Sequence, residues 1–164
     1  MSLDLNKFSK ECRSEFPTNK KLKEKLKATR PKNLDAKFHQ AHSEVFAKMD
    51  CLDCANCCKT TSPILIQTDI DRLSKVFRMR SREFIETYLF RDEDGDYVFN
   101  GAPCPFLGED NGCLVYENRP KACREYPHTD RKNMLGILDL TLKNTLVCPA
   151  VLKIFSEVGK EYKK

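Results

Sequence analysis

Four cysteines within eight residues constrain this chain more than any other feature of its sequence. Cys51, Cys54, Cys57 and Cys58 form two overlapping C-x-x-C pairs followed by an adjacent thiol. This spacing allows a tight loop to direct two sulfurs at one metal ion. Four further cysteines follow downstream: Cys104, Cys113, Cys123 and Cys148. These eight thiols predict a domain whose fold is held together by metal.

The choice between metal ligands and disulfides depends on the cellular compartment. The N-terminus lacks the apolar segment and cleavage site of a signal peptide, and no run of 18 or more apolar residues suggests a membrane helix. We therefore expect the cytosol, where thiols stay reduced. The odd total of nine cysteines also weighs against a complete disulfide set.

The ligand type limits the metal. Thiolates suit zinc, Cu(I) and iron–sulfur clusters. Eight of them could form two four-cysteine zinc sites, one iron–sulfur cluster plus another site, or two clusters. Adjacent side chains of an extended chain point to opposite faces, so Cys57 and Cys58 should serve different metals, or one is not a ligand. The simplest pairing gives each metal two thiolates from residues 51–58 and two from the later loops.

Helical periodicity dominates the rest of the chain. An amphipathic helix is predicted over residues 34–49, leading directly into the cysteine cluster. A second helix is predicted to begin at Thr68 as its N-cap, and a third at Ser81. Residues 134–147 favour a helix, and a last helix should open at Cys148-Pro149.

Strand signals are short. The apolar run at residues 63–66 and the segment Tyr97–Phe99, which follows a turn at Gly95, are each predicted to be extended. The predicted fold class is therefore mostly α with short β elements (α+β). We expect a small, irregular, metal-stapled domain with an N-terminal helical arm.

The positive charge of the chain lies at its N-terminus. Residues 1–37 carry a net charge of +6 and the remainder −1. Pro17 is predicted to separate a helix over residues 2–13 from a lysine-rich helix that starts at Lys20. The predicted organisation is a basic helical arm, 1–33, and a cysteine-cluster metal-binding domain, 34–164. A solvated lysine-rich face is favoured over contact with nucleic acid or an acidic protein.

Other candidate ligands receive weaker support. Cys12 lies on the apolar stripe of the first helix and is predicted to be a buried hydrophobe. His39 and His42 are expected to pack or to lie at the surface, while His128 stays open as a further ligand or an acid/base group. No paired carboxylates, nucleophile elbow or phosphate loop is present, so no catalytic residue is assigned.

Cations flank several of the cysteines. Lys59, Arg119, Lys121 and Arg124 could offset the charge of metal-bound thiolates or donate hydrogen bonds to their sulfurs. For Arg119 and Arg124, which flank Cys123, a structural role is favoured.

The order of these motifs resembles a known family. Cys51-x-x-Cys54-x-x-Cys57-Cys58, Cys104-Pro-Phe-Leu, Gly112-Cys113-x-x-Tyr116 and Arg119-Pro120-x-x-Cys123-Arg124-x-Tyr126-Pro127 resemble the YkgJ-type bacterial cysteine-cluster family, described as a zinc- or iron-chelating domain. The likeness runs from about residue 51 to 150. A similar cluster occurs in flagellin lysine methylase, where an iron–sulfur cluster is implicated. That enzyme is much longer, and this chain shows no methyl-donor-binding segment.

The sequence as a whole predicts a cytoplasmic, zinc- or iron-binding protein with a structural or metal-handling role. Its expected partner is the metal ion, with no membrane. An iron–sulfur redox protein or enzyme, including a relative of a modification enzyme, is the alternative.

Overall fold

The computed structural model describes residues 4–162. Within them lie eight α-helices: α1 (Leu5–Thr29), α2 (Leu34–Phe46), α3 (Asn56–Thr60), α4 (Gln67–Val76), α5 (Ser81–Tyr88), α6 (Lys121–Glu125), α7 (Leu138–Asn144) and α8 (Pro149–Tyr162). Three short strands complete the regular structure: β1 (Ile64–Leu65), β2 (Leu89–Arg91) and β3 (Tyr97–Phe99). The expected class, mostly α with short β elements, is confirmed.

The chain divides into two compact units. Unit 1 contains the described residues of Met1–Cys54 and Pro127–Lys164, and unit 2 is Ala55–Tyr126. The cysteine cluster spans the boundary in sequence, with Cys51 and Cys54 in unit 1 and Cys57 and Cys58 in unit 2. A basic arm over residues 1–33 that folds apart from residues 34–164 stays a prediction.

Unit 1 is a helical assembly built around α8. The apolar faces of α1, α2, α7 and α8 meet in one core: Leu22, Leu26, Leu34, Phe38, Ala41, Val45, Met134, Leu138, Ala150, Ile154, Phe155 and Val158. Asp35 on α2 accepts hydrogen bonds of 2.8 Å from the backbone N–H groups of Asn133 and Met134. This carboxylate fixes the short 3-10 turn Met134–Ile137 that precedes α7.

The first helix is continuous where the sequence predicted two separate helices. Helix α1 is continuous from Leu5 to Thr29 with Pro17 inside it, whereas a break was expected there. The predicted start at residue 2 lies outside the described residues. A proline inside a helix costs about 3 kcal/mol because it removes one hydrogen bond and crowds the preceding turn. Burial of Phe8, Leu22 and Leu26 on both sides of Pro17 offsets that cost.

Two lysines of α1 add polar contacts to this packing. Lys23 is buried, and its Nζ donates to Oδ1 of Asp139 on α7 at 2.8 Å. Lys27 donates to the other oxygen of the same carboxylate. These hydrogen bonds lower the pKa of Asp139 to about 2. Part of the lysine-rich face therefore contacts α7 instead of facing solvent. Lys20 and Lys21 are exposed, as expected.

Unit 2 is built on a three-stranded antiparallel sheet in the order β1-β3-β2. The predicted turn at Gly95 is present, with a φ of +84°, and Asp92 caps it by accepting from the N–H groups of Asp94 and Asp96. The core of the unit consists of Leu65, Ile70, Leu73, Phe84, Leu89, Phe99, Phe106 and Val115. The acidic residues of this hairpin thus form a polar turn.

The start of α4 differs from the sequence prediction. Thr68 was expected to be the N-cap, but Ile66 occupies that position and Thr68 lies inside the helix. The N–H of Ile66 donates to Oδ2 of Asp69 at 3.3 Å. Asp69 can take over the capping role because a carboxylate three residues into a helix reaches back to the N-cap backbone. In the described part of the chain, no helix is both long enough and apolar enough to cross a bilayer.

Candidate metal centre

Unit 2 contains five of the predicted ligand thiols, among them Cys57. Cys58 lies on α3, Cys104 and Cys113 flank a tight turn, and Cys123 lies in the short helix α6. The N–H of Cys104 donates to the carbonyl of Cys58 at 2.7 Å. Cys113 pairs with Leu107, three residues after Cys104, in an isolated antiparallel bridge. We call Cys58, Cys104, Cys113 and Cys123 the four-thiol group.

The turn between Cys104 and Cys113 depends on local backbone geometry. Gly112 donates its N–H to Oδ1 of Asp110 at 2.9 Å, and its carbonyl accepts from Gly108 at 2.8 Å. A Cβ at Gly112 would lie 2.8 Å from that carboxylate oxygen, so a larger residue would displace the Asp110 side chain from its hydrogen bond. This turn explains why Gly precedes Cys113 in the sequence motif.

The thiols of this group influence one another electrostatically. Burial first, and then negative charge on Cys58, Cys104 and Cys113, raise the pKa of Cys123 to about 12. Burial likewise raises the pKa of Cys104, and Cys58 and Cys113 act in the same direction. Mutual repulsion therefore opposes simultaneous ionisation of the group. A cation bound among the sulfurs would reverse this effect, since metal-bound thiols are deprotonated.

One thiol of the group has the opposite tendency. A hydrogen bond with the Cys57 thiol, at a sulfur–sulfur distance of 4.0 Å, lowers the pKa of Cys58 to about 7 against the effect of burial. Arg119 and Lys59 add smaller stabilising effects on the thiolate. Cys58 is therefore the member of the group best prepared to bind a cation at neutral pH.

The backbone at Cys57 and Cys58 is not in the extended conformation that the sequence prediction assumed. Both residues lie in the helical turn α3, not in extended chain. Adjacent helical side chains are separated by about 100° rather than pointing to opposite faces. The argument that they face opposite sides is therefore wrong, although the ligand role of each stays a prediction.

A second set of thiols lies in unit 1. Cys51 opens a 3-10 turn, and the N–H of Cys54 donates to its carbonyl at 3.4 Å. Burial first, with a smaller effect of negative charge on Cys51 and Cys54, raises the pKa of Cys148 to about 11. We call Cys51, Cys54 and Cys148 the three-thiol group. The expected pairing, with two thiolates from residues 51–58 and two from the later loops at each metal, stays a prediction.

The backbone beneath the four-thiol group is held by a carboxylate that the sequence did not reveal as important. The side chain of Asp69 is 1% exposed. Its Oδ1 accepts from Nη2 of Arg72 at 2.6 Å and from the N–H of Lys121 at 3.1 Å. Asp69 therefore joins the start of α4 to the start of α6, the helix that carries Cys123. Its only sequence signal was an acid near a helix N-terminus.

Arg119 connects this scaffold to the thiols. Its guanidinium lies 3.7 Å from the centre of the Tyr116 ring, and its Nε donates to the Tyr116 carbonyl at 2.8 Å. The Arg119 carbonyl accepts from Arg72 at 2.9 Å and from Arg124 at 2.6 Å. The structural roles expected for Arg119 and Arg124 are therefore supported, and Arg119 also acts on the pKa of Cys58 and of Cys123.

The remaining candidate residues have other contacts. Cys12 is 3% exposed and packs with Phe8 and Leu152, as predicted for a buried hydrophobe. His42 Nδ1 lies 2.8 Å from Oγ1 of Thr129, and His39 Nε2 lies 2.9 Å from the carbonyl of Arg131. His128 adopts a left-handed backbone conformation with φ of +64°. Lys121 forms an exposed ion pair of 3.7 Å with Glu125.

The present arrangement of the side chains is not a closed coordination sphere. Among residues 4–162, no three His, Cys, Asp or Glu side chains converge as a ready-made set of metal ligands. What the two groups offer is sulfur, the donor that zinc and iron–sulfur centres prefer.

The chain resembles known proteins at the level of one domain family. No curated protein and no solved structure shows significant similarity to the chain. Residues 50–149 match the family CxxCxxCC, described as "putative zinc- or iron-chelating domain". The matched segment covers more than half of the chain and includes every cysteine of both thiol groups. The chain therefore belongs to the CxxCxxCC family of zinc- or iron-chelating domains.

Proposed function

We propose that this protein binds zinc or iron through cysteine thiolates, and that the four-thiol group is its principal metal centre. The observation that carries the proposal is that the Cys104 N–H donates to the carbonyl of Cys58, that Cys113 lies in a bridge with Leu107, and that charge on these three thiols acts on Cys123. Sulfur-only ligation suits a structural zinc or an iron–sulfur cluster.

The surrounding residues fit a metal-bound set of thiolates. A zinc ion with four thiolates carries a net charge of −2, and Arg119 and Lys59 already favour the thiolate form of Cys58. The buried carboxylate of Asp69 and its partner Arg72 hold the backbone before Cys123 in place. This organisation reduces the conformational entropy that the loops lose when the sulfurs gather around one ion.

The role of the metal is structural or metal-handling in this proposal. A zinc ion with four thiolates has no open position for a substrate, and metal binding at such a site contributes to folding free energy. Cys57 stays a candidate ligand beside Cys58. We also propose a cytoplasmic location, because eight reduced thiols are needed for binding.

Metal analysis of protein purified without oxygen tests this proposal. Stoichiometric zinc in a colourless protein would support a structural or metal-handling site. Iron with inorganic sulfide, and a broad absorption band near roughly 400 nm that bleaches on reduction, would instead identify the iron–sulfur alternative. Folded protein that contains no metal and has its thiols oxidised to disulfides would refute metal binding.

Binding of the lysine-rich α1 to nucleic acid is a separate hypothesis that we do not favour. Lys20 and Lys21 are exposed, but Lys23 and Lys27 are engaged with Asp139. Nucleic-acid binding that weakens steeply with salt would revive this hypothesis.

A further inference from the structure

The sheet of unit 2 has apolar residues on both of its faces. Leu65 and Phe99 belong to the core of the unit. Successive side chains of a strand alternate between the two faces, so Ile64, Phe90 and Val98 lie on the face away from that core. In the register of the sheet, Ile64 and Phe90 pair with Val98 from its two sides. These three side chains therefore form one apolar row across the sheet.

Both ends of this row are open to solvent. Ile64 is 45% exposed and Phe90 is 48% exposed, whereas Val98 between them is buried. Ile66 follows two residues after Ile64 with an extended backbone, so it lies on the same face, and it is 47% exposed. We call Ile64, Ile66, Phe90 and Val98 the outer apolar face. Neighbouring exposed apolar side chains of this size mark sites of protein interaction.

An acidic turn borders the outer apolar face at one end. Residues 92–96, which join β2 to β3, contain three aspartates and one glutamate and therefore carry a charge of −4. The N–H of Asp92 donates to the carbonyl of Asp96 at 3.0 Å, so this pair continues the ladder two residues beyond Phe90 and Val98. By the same alternation, Asp92 and Asp96 lie on the outer side of the sheet. Carboxylates thus stand directly beside the apolar row.

The acidic turn is ordered, and its charge stays available to a partner. Oδ1 of Asp92 accepts from two N–H groups of the turn at 3.0 and 2.9 Å, and the other three acids are exposed. Arg91 is the adjacent cation, but it donates to the carbonyl of Gly95 at 2.8 Å and lies 4.4 Å from the centre of the Tyr97 ring. A turn held in one conformation loses little entropy when a partner binds.

We propose that the outer apolar face and the acidic turn together bind a segment of a partner protein in which apolar residues stand beside lysine or arginine. The apolar residues of that segment cover Ile64, Ile66 and Phe90, and its cations pair with the carboxylates of the turn. Charge complementarity selects this occupant, because an acidic segment would be repelled. A second copy of the chain would bring another acidic turn to the surface instead of cations. The inference uses none of the candidate metal ligands.

A peptide of defined sequence tests this surface on the full, reduced chain. Fluorescence anisotropy measures the binding of a labelled ten-residue peptide that alternates lysine and leucine. Phe90→Ser should weaken binding about tenfold because it removes apolar contact, and Asp96→Lys should do the same because it replaces attraction with repulsion. A peptide with serine in place of leucine, and one with glutamate in place of lysine, should each bind at least about tenfold more weakly.

Two matched control variants lie elsewhere in unit 2. Val76→Ser changes an apolar residue of α4 that is 44% exposed, and Glu83→Lys reverses an exposed acid of α5. Both helices contribute to the core on the other side of the sheet, so these variants should bind the lysine–leucine peptide as the wild type does. The substituted side chains Phe90 and Asp96 are also exposed, so circular dichroism should show that all four variants keep the wild-type fold.

Several results would overturn the proposal. These are the absence of binding by the lysine–leucine peptide, equally tight binding of the glutamate–leucine peptide, and equal losses of affinity in Phe90→Ser and Val76→Ser. Sedimentation of the wild-type chain adds a fourth. Dimerisation that Phe90→Ser abolishes would show that this face joins two copies of the chain, and would replace the proposed partner.

Discussion

Replacement of Asp69 by asparagine should destabilise unit 2 strongly. The carboxylate is 1% exposed and accepts hydrogen bonds from Arg72, Lys121 and Ile66 at 2.6, 3.1 and 3.3 Å. Asp69→Asn preserves the size of the side chain but removes the charge that pairs with Arg72. Arg72 is 31% exposed, so water can partly compensate its charge, and the expected loss is about 2–3 kcal/mol rather than the larger cost of breaking a fully buried ion pair.

Urea unfolding of metal-free, reduced protein measures this effect. Four of the five tyrosines lie in unit 2 and the chain has no tryptophan, so tyrosine fluorescence reports mainly on this unit. With a urea dependence of roughly 2 kcal/mol per M, the loss corresponds to a midpoint lowered by roughly 1–1.5 M. The backbone before Cys123 should loosen as well, so zinc affinity is expected to fall in the same variant.

A matched control lies on the same helix. Asp71 accepts from Ser81 Oγ and Gln67 Nε2, both at 2.8 Å, but it is partly exposed and pairs with no buried cation. Asp71→Asn should therefore lower the midpoint much less than Asp69→Asn. Equal shifts in the two variants, or a loss below about 1 kcal/mol in Asp69→Asn, would refute the reasoning that Asp69 is the organising carboxylate of unit 2.

Three further predictions concern a thiol, a backbone contact and the core. In metal-free protein, the rate of Cys58 alkylation, measured by mass spectrometry, should fall as the pH is lowered through about 7, because the thiolate is protonated with a pKa of about 7. Cys123, with a pKa of about 12, should stay unmodified at pH 7, and equal rates for the two cysteines would contradict this prediction. Asp35→Ala should cost about 2 kcal/mol in chemical unfolding, because two backbone N–H groups lose a charged acceptor at 2.8 Å; an unchanged midpoint would argue against that role. Phe155→Ala should cost about 3–5 kcal/mol through the cavity it leaves in unit 1, and a loss under about 1 kcal/mol would show that the core collapses around the site.

Several elements of the fold could be predicted because their apolar residues recur with helical period. Helix α2 buries Leu34, Phe38 and Val45, and it ends only a few residues earlier than expected. The start of α5 at Ser81 and of α8 at Pro149 is confirmed. In each case the local pattern and the tertiary packing favour the same structure.

The sequence prediction failed where tertiary contacts outweigh local preference. Pro17 is a helix breaker in isolation, but the packing of α1 on both sides of it keeps the helix continuous. Thr68 is a better N-cap than Ile66 by residue type, yet the carboxylate of Asp69 already satisfies the backbone at that point. Neither outcome can be read from a short window of sequence.

For the candidate metal site, the sequence predicted the kind of ligand but not which ligands belong together. Cysteine spacing and the family resemblance identify the thiols, and membership of the chelating family is confirmed. Which thiols are neighbours depends on the turn before Cys113 and on the position of Cys148 at α8. The importance of Asp69 depends on contacts 52 residues apart along the chain, which no local motif encodes.

X-ray absorption at the metal edge tests the central claim most directly. The metal bound by the protein should be surrounded by sulfur alone, with four metal–sulfur bonds of roughly 2.3 Å per ion. A first shell containing nitrogen or oxygen from the protein, or fewer than four sulfurs, would contradict the account. So would an unchanged sulfur shell in the Cys123→Ser variant, because one of the four proposed ligands would then be absent.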